Sequence, residues 1–308
     1  MKRSWAPPVI AIAVLGLVSC QASEPEVAVE TPAVALVEPA IVEVTVEDYS
    51  FLAPPELRSG WTTFRMSNEG EQPHFMLLYR LPEGVTFGDY TEQLSRPFQE
   101  QYDRYTSGEL SQGEMLEQIG NILPEWFDLL EGMGGVGLTS PGRTSQATML
   151  LEPGYYVMEC YVVSPEGQFH GTLGMLRPLI VNTESTGLEE PTADIQITLS
   201  NYTMSVEGET TAGEHTIAVH ATENAEGLIG HDTHLARLEP DTSLEDLVEW
   251  MNWIDAMRPP VPAEFLGGAE HLGAGRTSYF TVSLEPGRYA WISEGFATSG
   301  MVQEFVVE

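Results

Sequence analysis

Two periodicities alternate along this chain. Residues Val42-Glu43-Val44-Thr45-Val46 and Ile195-Gln196-Ile197-Thr198-Leu199 swap apolar and polar side chains at every step. That period of two predicts half-buried strands. Gly-containing breaks at "RSGW" (58–61), "EPGY" (152–155), "TAGE" (211–214) and "EPGR" (285–288) predict turns between strands. A helical period runs through "TSLEDLVEWMNWIDAM", where Leu244, Leu247, Val248, Met251 and Ile254 fall on one stripe. Ser243 and Asp246 have the spacing of a capping box at its start. Trp250, Met251 and Trp253 suit a core or an interface between domains. Thr86 and Asp89 repeat the capping spacing earlier in the chain. A second amphipathic stretch follows there at 113–133, with Pro124 expected to break or restart it. Strands on either side of a helical excursion predict an all-β sandwich.

The pattern occurs twice. "GRTSQATMLLEPGYY" (142–156) and "GRTSYFTVSLEPGRY" (275–289) align without a gap and are identical at most positions. Other segments answer one another in the same order: 42–51 with 193–204, 77–94 with 234–251, and the "GM" of 174–175 with that of 300–301. A unit of this size is a duplicated domain and not a solenoid repeat. The expected units are 41–182 and 193–308, joined by a linker at 183–192 within the polar run "NTESTGLEEP".

The first twenty residues stand outside this scheme. Lys2 and Arg3 precede an apolar run from Val9 to Val18, which is too short for a permanent membrane helix. Leu17-Val18-Ser19-Cys20 resembles the lipobox of bacterial lipoproteins, which implies export and lipidation of Cys20. The Pro-, Glu-, Ala- and Val-rich residues 21–40 read as a disordered tether lifting the fold off a membrane. The formal charge of −33 on 308 residues excludes nucleic acid as a partner, since phosphates need Lys and Arg. It favours a partner with a basic face.

Lipidation sharpens the cysteine count. Only Cys20 and Cys160 are present, so an exported, lipidated chain leaves Cys160 without a disulfide partner. Cys160 is then either a small buried hydrophobe or a metal ligand. "NEGEQPHFMLL" (68–78) and "ECYVVSPEGQFHGTLGM" (159–175) supply His74, Cys160, His170 and Met175 in that order. Two imidazoles, a thiolate and a distant thioether make up the donor set of a type 1 copper centre.

These segments, with "DYSF" and "PGYYVMEC", resemble the cupredoxin (blue copper) family. The resemblance implies two cupredoxin-like Greek-key β-sandwiches, each with a helical insertion. It also implies one copper, held by His74, Cys160, His170 and Met175, and one-electron transfer to a redox partner. It does not imply an enzyme. Copper storage or delivery, and a metal-free interaction module, remain alternatives. Nine residues separate Cys160 from His170, more than in small family members, and the long helical insert could cover the face where those members dock. The second copy carries Ser293 in place of the cysteine and no histidine in the shortened loop, so no copper site is expected there. Its own histidines (His215, His220, His231, His234 and His271) are either a divalent-metal group or separate hydrogen-bonded side chains. No haem attachment motif, nucleophile elbow, phosphate loop or His-Glu-x-x-His is present.

Overall fold

The computed structural model describes residues 41–225, 227–252 and 257–308. The signal segment, Cys20, the tether, Trp253 and Ile254 lie outside the described residues. Among the described residues, no helix is long and apolar enough to cross a membrane.

The alternating segments are strands. The first half contributes β1 (Ile41–Glu47), β2 (Ser50–Leu52), β3 (Glu56–Asn68), β4 (His74–Arg80), β5 (Glu131–Thr139), β6 (Thr144–Leu151), β7 (Gly154–Glu159) and β8 (Leu176–Ser185). The second contributes β9 (Ile195–Ser200), β10 (Thr203–Glu207), β11 (Gly213–Glu223), β12 (His231–Leu238), β13 (Glu264–Leu272), β14 (Thr277–Leu284), β15 (Gly287–Ile292) and β16 (Val302–Val307). In β1 the even-numbered valines are buried and their neighbours face outward, as the period of two requires.

The strands form two layers, each running through both halves. One layer pairs in the order β2-β1-β3-β6-β14-β11-β9-β10 and the other in the order β8-β7-β4-β5-β13-β12-β15-β16. The join is symmetric. On the first layer Gln146 faces Thr281 and Thr148 faces Tyr279, pairs that exchange places under the 142–156/275–289 alignment. On the second layer β5 pairs with β13 through Val136 and Ala269. The two halves therefore meet edge to edge about a pseudo-twofold axis, with hydrogen-bonded ladders in both layers. Tyr156 donates its hydroxyl proton to the Glu152 carbonyl (2.6 Å), and Tyr289 does the same to Glu285 (2.8 Å).

Three sequence expectations need correction. "RSGW" is not a turn but lies inside β3, whose first residues run parallel to β8 while Gly60–Ser67 pairs with β6. Gly60 has φ +109°, and a Cβ there would strike Thr186, so the strand bends from one layer to the other at a residue only glycine fills without strain. The amphipathic stretch 113–133 is helical only from Gln112 to Ile122. A single 3₁₀ turn spans Phe127–Leu129 past Pro124, and Glu131 already begins β5. Finally, β8 extends to Ser185, into the polar run read as a linker, because it pairs with the start of β3. Further along, Glu190 accepts a hydrogen bond from Tyr279 (2.7 Å).

The helical insertions are present in both halves. Thr86/Asp89 and Ser243/Asp246 form reciprocal capping boxes. Leu247, Trp250 and Met251 of the second are buried, and Trp250 packs on Phe265 at 5.2 Å. In the first half, helical residues 87–106 and Gln112–Ile122 pack together and lie against the chain between β7 and β8.

Candidate metal centre

β4 opens on His74, and β7 ends one residue before Cys160. The two strands pair, with Leu77 opposite Glu159, so the sheet carries both residues to the same end. The loop after Cys160 folds back on itself. Ser164 N–H donates to the Gln168 carbonyl, and His170 N–H donates to the Val162 carbonyl (2.8 Å each), which closes the nine intervening residues into a compact excursion. His170 then begins a single helical turn, His170–Leu173. Met175 N–H donates to the His170 carbonyl (2.9 Å), and the Met175 carbonyl accepts from Cys160 N–H (3.0 Å). The equivalent bond recurs in the second half, from Ser293 N–H to the Met301 carbonyl (3.0 Å).

His74, Cys160 and His170 converge, with ligand atoms within 4.8 Å of one another. The Cys160 Sγ lies 3.6 Å from His170 Nδ1 and 3.9 Å from His74 Nδ1, and the two Nδ1 atoms are 3.1 Å apart. Met175 is fully buried on the same loop. All four residues have zero exposure, and the thiol is free.

The outer nitrogens of both rings fix what the inner ones can do. His74 Nε2 lies 2.5 Å from the Asp48 carboxylate, and His170 Nε2 lies 3.1 Å from the Gln72 side-chain oxygen. Both partners accept, so each Nε2 carries its proton and each neutral ring turns a bare Nδ1 lone pair inward. Two lone pairs facing each other beside a sulfur repel unless a cation or a proton sits between them. The rings do not readily supply that proton. Burial, together with the neighbouring His74, pushes His170 down to about 2. Burial also lowers His74, against the opposing pull of Asp48. The Cys160 thiol is pushed up by burial and further by Glu270 and Glu159, so it ionises only when a cation takes the proton's place. The residues thus fit a thiophilic, imidazole-binding cation.

Asp48 and Gln72 were not singled out from sequence. Asp48 resembles any of the 46 acidic residues, and its role arises from the β1–β2 turn. Gln72 lies two residues before His74, which is the only signal it gives. Gln72 in turn donates to the Tyr49 hydroxyl (2.7 Å), and the Tyr49 ring lies 4.8 Å from that of His170. Asn68 braces the "NEGEQPH" loop, with its amide donating to the Gln72 and Thr139 carbonyls (2.8 Å each) and its oxygen accepting from Gly70 N–H. A Cβ on Gly70 would come within 2.9 Å of His74 Nε2 and collide with Asp48, so this approach requires glycine.

The insertion seals the ligand loop. Gln99 accepts from Phe169 N–H (2.7 Å) and from the Thr172 hydroxyl (3.1 Å), and Tyr102, Met115 and Ile119 form a small core with Val163 and Phe169. Among the described residues, the second half holds no such cluster. His215 and His220 both lie on β11 but are engaged separately, with Asp194 and with Thr277, while His231, His234 and His271 lie on β12 and β13.

No protein-family model and no curated protein matches the chain. Among solved structures, it is similar to auracyanin A, described as a "blue" copper protein, from Chloroflexus aurantiacus. That match has 20% identity and a TM-score of 0.28, over 47% of this chain and 99% of the other. A multicopper oxidase matches over 87% of this chain and 88% of its own, with 14% identity and a TM-score of 0.23. An azurin from Methylomonas sp. strain J matches over 47% and 98%, with 9% identity and a TM-score of 0.26. The two-layered all-β architecture agrees with the cupredoxin-like class that the sequence implies.

Proposed function

We propose that this chain is an exported, lipid-anchored protein of two cupredoxin-like domains that binds one type 1 copper in its first half and carries single electrons. The observation that supports it is the pair of buried Nδ1 atoms, 3.1 Å apart and each held lone-pair-inward by an acceptor at its Nε2, beside the only free thiol among the described residues. His74, Cys160 and His170 would hold the metal, with Met175 as the distant thioether. A copper ion held by these residues would supply one-electron Cu(II)/Cu(I) chemistry.

The protein's part is to keep the donors still. Asp48 and Gln72 fix both rings, and the backbone bonds of Met175 tie His170 to Cys160. The insertion helices pack on the loop and keep water from it. Little atomic movement then accompanies a change of charge, which favours fast electron exchange. The acidic surface suits a carrier with a basic face. We do not assign an enzymatic activity.

The visible spectrum tests this. Purified protein given Cu(II) should develop an intense thiolate-to-copper band at about 600 nm. It should do so with one copper per chain, and Cys160→Ser should remove it. Folded protein that takes up Cu(I) without such a band would point instead to copper storage or delivery.

A further inference from the structure

A cavity of about 210 Å³ lies where the two halves meet. Its walls are aromatic, with Tyr79, Tyr90, Phe98, Phe127 and Tyr161 among them. Two carboxyl side chains open onto it, Glu159 from the first half and Glu294 from the second. Each is nine-tenths buried or more, with exposures of 7% and 5%. A tyrosine holds one oxygen of each: Tyr90 donates to Glu159 Oε2 (2.6 Å) and Tyr161 to Glu294 Oε2 (3.0 Å). The other oxygen of each accepts no hydrogen bond from the described residues.

The groups behind this wall are acidic as well, and burial, with Asp232 beside them, raises the Glu270 and Glu294 carboxyls well above the usual range, so that ionising them calls for a cation. His271 also lines the cavity, and behind it lie Asp232, Glu270 and His234. Glu270 is wholly buried with neither oxygen hydrogen-bonded, and the only ion-pair partners of Asp232 and Glu270 among the described residues are histidines. Among the described residues, no Lys or Arg lines the cavity. Strand register shows that this charge belongs to one half. β4 and β12 run in the same frame, since His74 faces Thr139 and Arg80 faces Glu131, as His231 faces Leu272 and Arg237 faces Glu264. In that frame Asp232 stands where the first half has Phe75, Glu270 where it has Gly137, and Glu294 where it has Tyr161. Phe75 and Tyr161 make an aromatic pair at 4.7 Å, whereas Glu294 N–H donates to Asp232 at 2.6 Å.

Buried carboxyls without a cation are costly. Their persistence beside an aromatic-walled space identifies what would fill it. A hydrated metal ion gains little from aromatic walls, and a neutral apolar molecule leaves the free oxygens unmet. An organic ammonium satisfies both, donating to the carboxylates while its apolar body and charge lie against ring faces. An empty cavity of about 150 Å³ accepts benzene, so the space here accommodates one ring with a short aminoalkyl arm.

We propose that this cavity is a binding site for a small organic cation, an ammonium group on a single-ring or similar apolar body, held by Glu159 and Glu294. The inference stands on the cavity and its carboxyls and does not rest on the proposed copper site.

Calorimetric titration of the metal-free protein with benzylammonium, and in parallel with the neutral benzyl alcohol, tests it. Benzylammonium should bind at about 1 mM or tighter and at least tenfold more tightly than the alcohol. Glu294→Gln and Glu159→Gln keep side-chain shape and remove charge, so both should fold, as judged by circular dichroism, and each should lose most of that preference. Equal affinity for the alcohol overturns the proposal, as does no binding by folded wild-type protein, or a preference that survives both substitutions. Displacement of the ligand by Zn(II) from folded Cys160→Ser protein, whose His–Cys–His cluster is broken, also overturns it, since the cavity would then be a metal site.

Discussion

Gln72 touches no metal in this reading, yet it decides which nitrogen of His170 faces the thiol. Replacing it with leucine leaves the His170 Nε2–H without its acceptor and frees the ring to turn. The expected result for Gln72→Leu is a copper affinity lower by about 10–100-fold, with the thiolate band still present at saturating copper. Competitive titration against a chelator measures it. His170 also links folding to pH. Its folded value, about 2, lies below the ordinary 6.5. The unfolded chain therefore binds a proton between those limits that the folded metal-free chain does not. The stability it contributes is complete above about 6.5 and lost progressively as pH falls toward 2. Urea unfolding of metal-free wild type and His170→Gln should show the wild type losing more stability between pH 7.5 and 4.5. Equal losses would remove His170 from the account. At this scale the sequence was legible where rare residue types carried the signal. His74, Cys160 and His170 stood out because Cys and His are scarce here. Asp48, Asp232, Glu270 and Glu294 did not, because a chain this acidic offers no contrast, and only strand pairing separates a buried carboxylate from a solvated one.

Capping boxes and hydrophobic stripes located the helices, whereas their ends and purpose came from packing. The helix Gln112–Ile122 stops before Pro124, a 3₁₀ turn takes Phe127–Leu129, and β5 begins at Glu131, where pairing with β4 and β13 decides the strand. What this helix does is equally non-local. Met115, fully buried against Tyr102, Val163 and Phe169, couples it to the ligand loop. Met115→Ala should cost about 2–5 kcal/mol, read from denaturant unfolding. In the folded variant the copper band should broaden as the Cys160–His170 loop loosens. A variant with full loss of stability and an unchanged band would show that the loop is rigid without its cover. Gly60 teaches a similar lesson. In the sequence it is a break. In the fold it allows a single strand, β3, to serve both layers.

At the scale of the whole molecule, the sequence repeats carried no sign that strands from both copies would join in continuous sheets. Both layers cross the join by backbone hydrogen bonds, and Gly137 and Gly268 approach so closely there that a Cβ on Gly137 would lie 2.8 Å from its neighbour's backbone. Neither half should therefore unfold alone. Calorimetry of the metal-free protein should give one transition, with van't Hoff and calorimetric enthalpies equal. Two resolved transitions would mean that the ladders across the join contribute little. Gly137→Ala should lower the single melting temperature by forcing β5 away from β13.

The pseudo-twofold join also bears on how such a molecule can change. In a dimer of identical chains, every substitution is made twice, so a carboxylate placed at the position of Phe75 would enter both copies at once and crowd the copper ligands next to it. One chain that carries both halves escapes this coupling. His74 can keep its apolar neighbour Phe75 while His231 is followed by Asp232, and the Cys160 seat can be left intact while Ser293 occupies its counterpart. The symmetry supplies a shared scaffold, and covalent linkage lets one side keep the His74–Cys160–His170 cluster while the other carries buried carboxyls at the equivalent places.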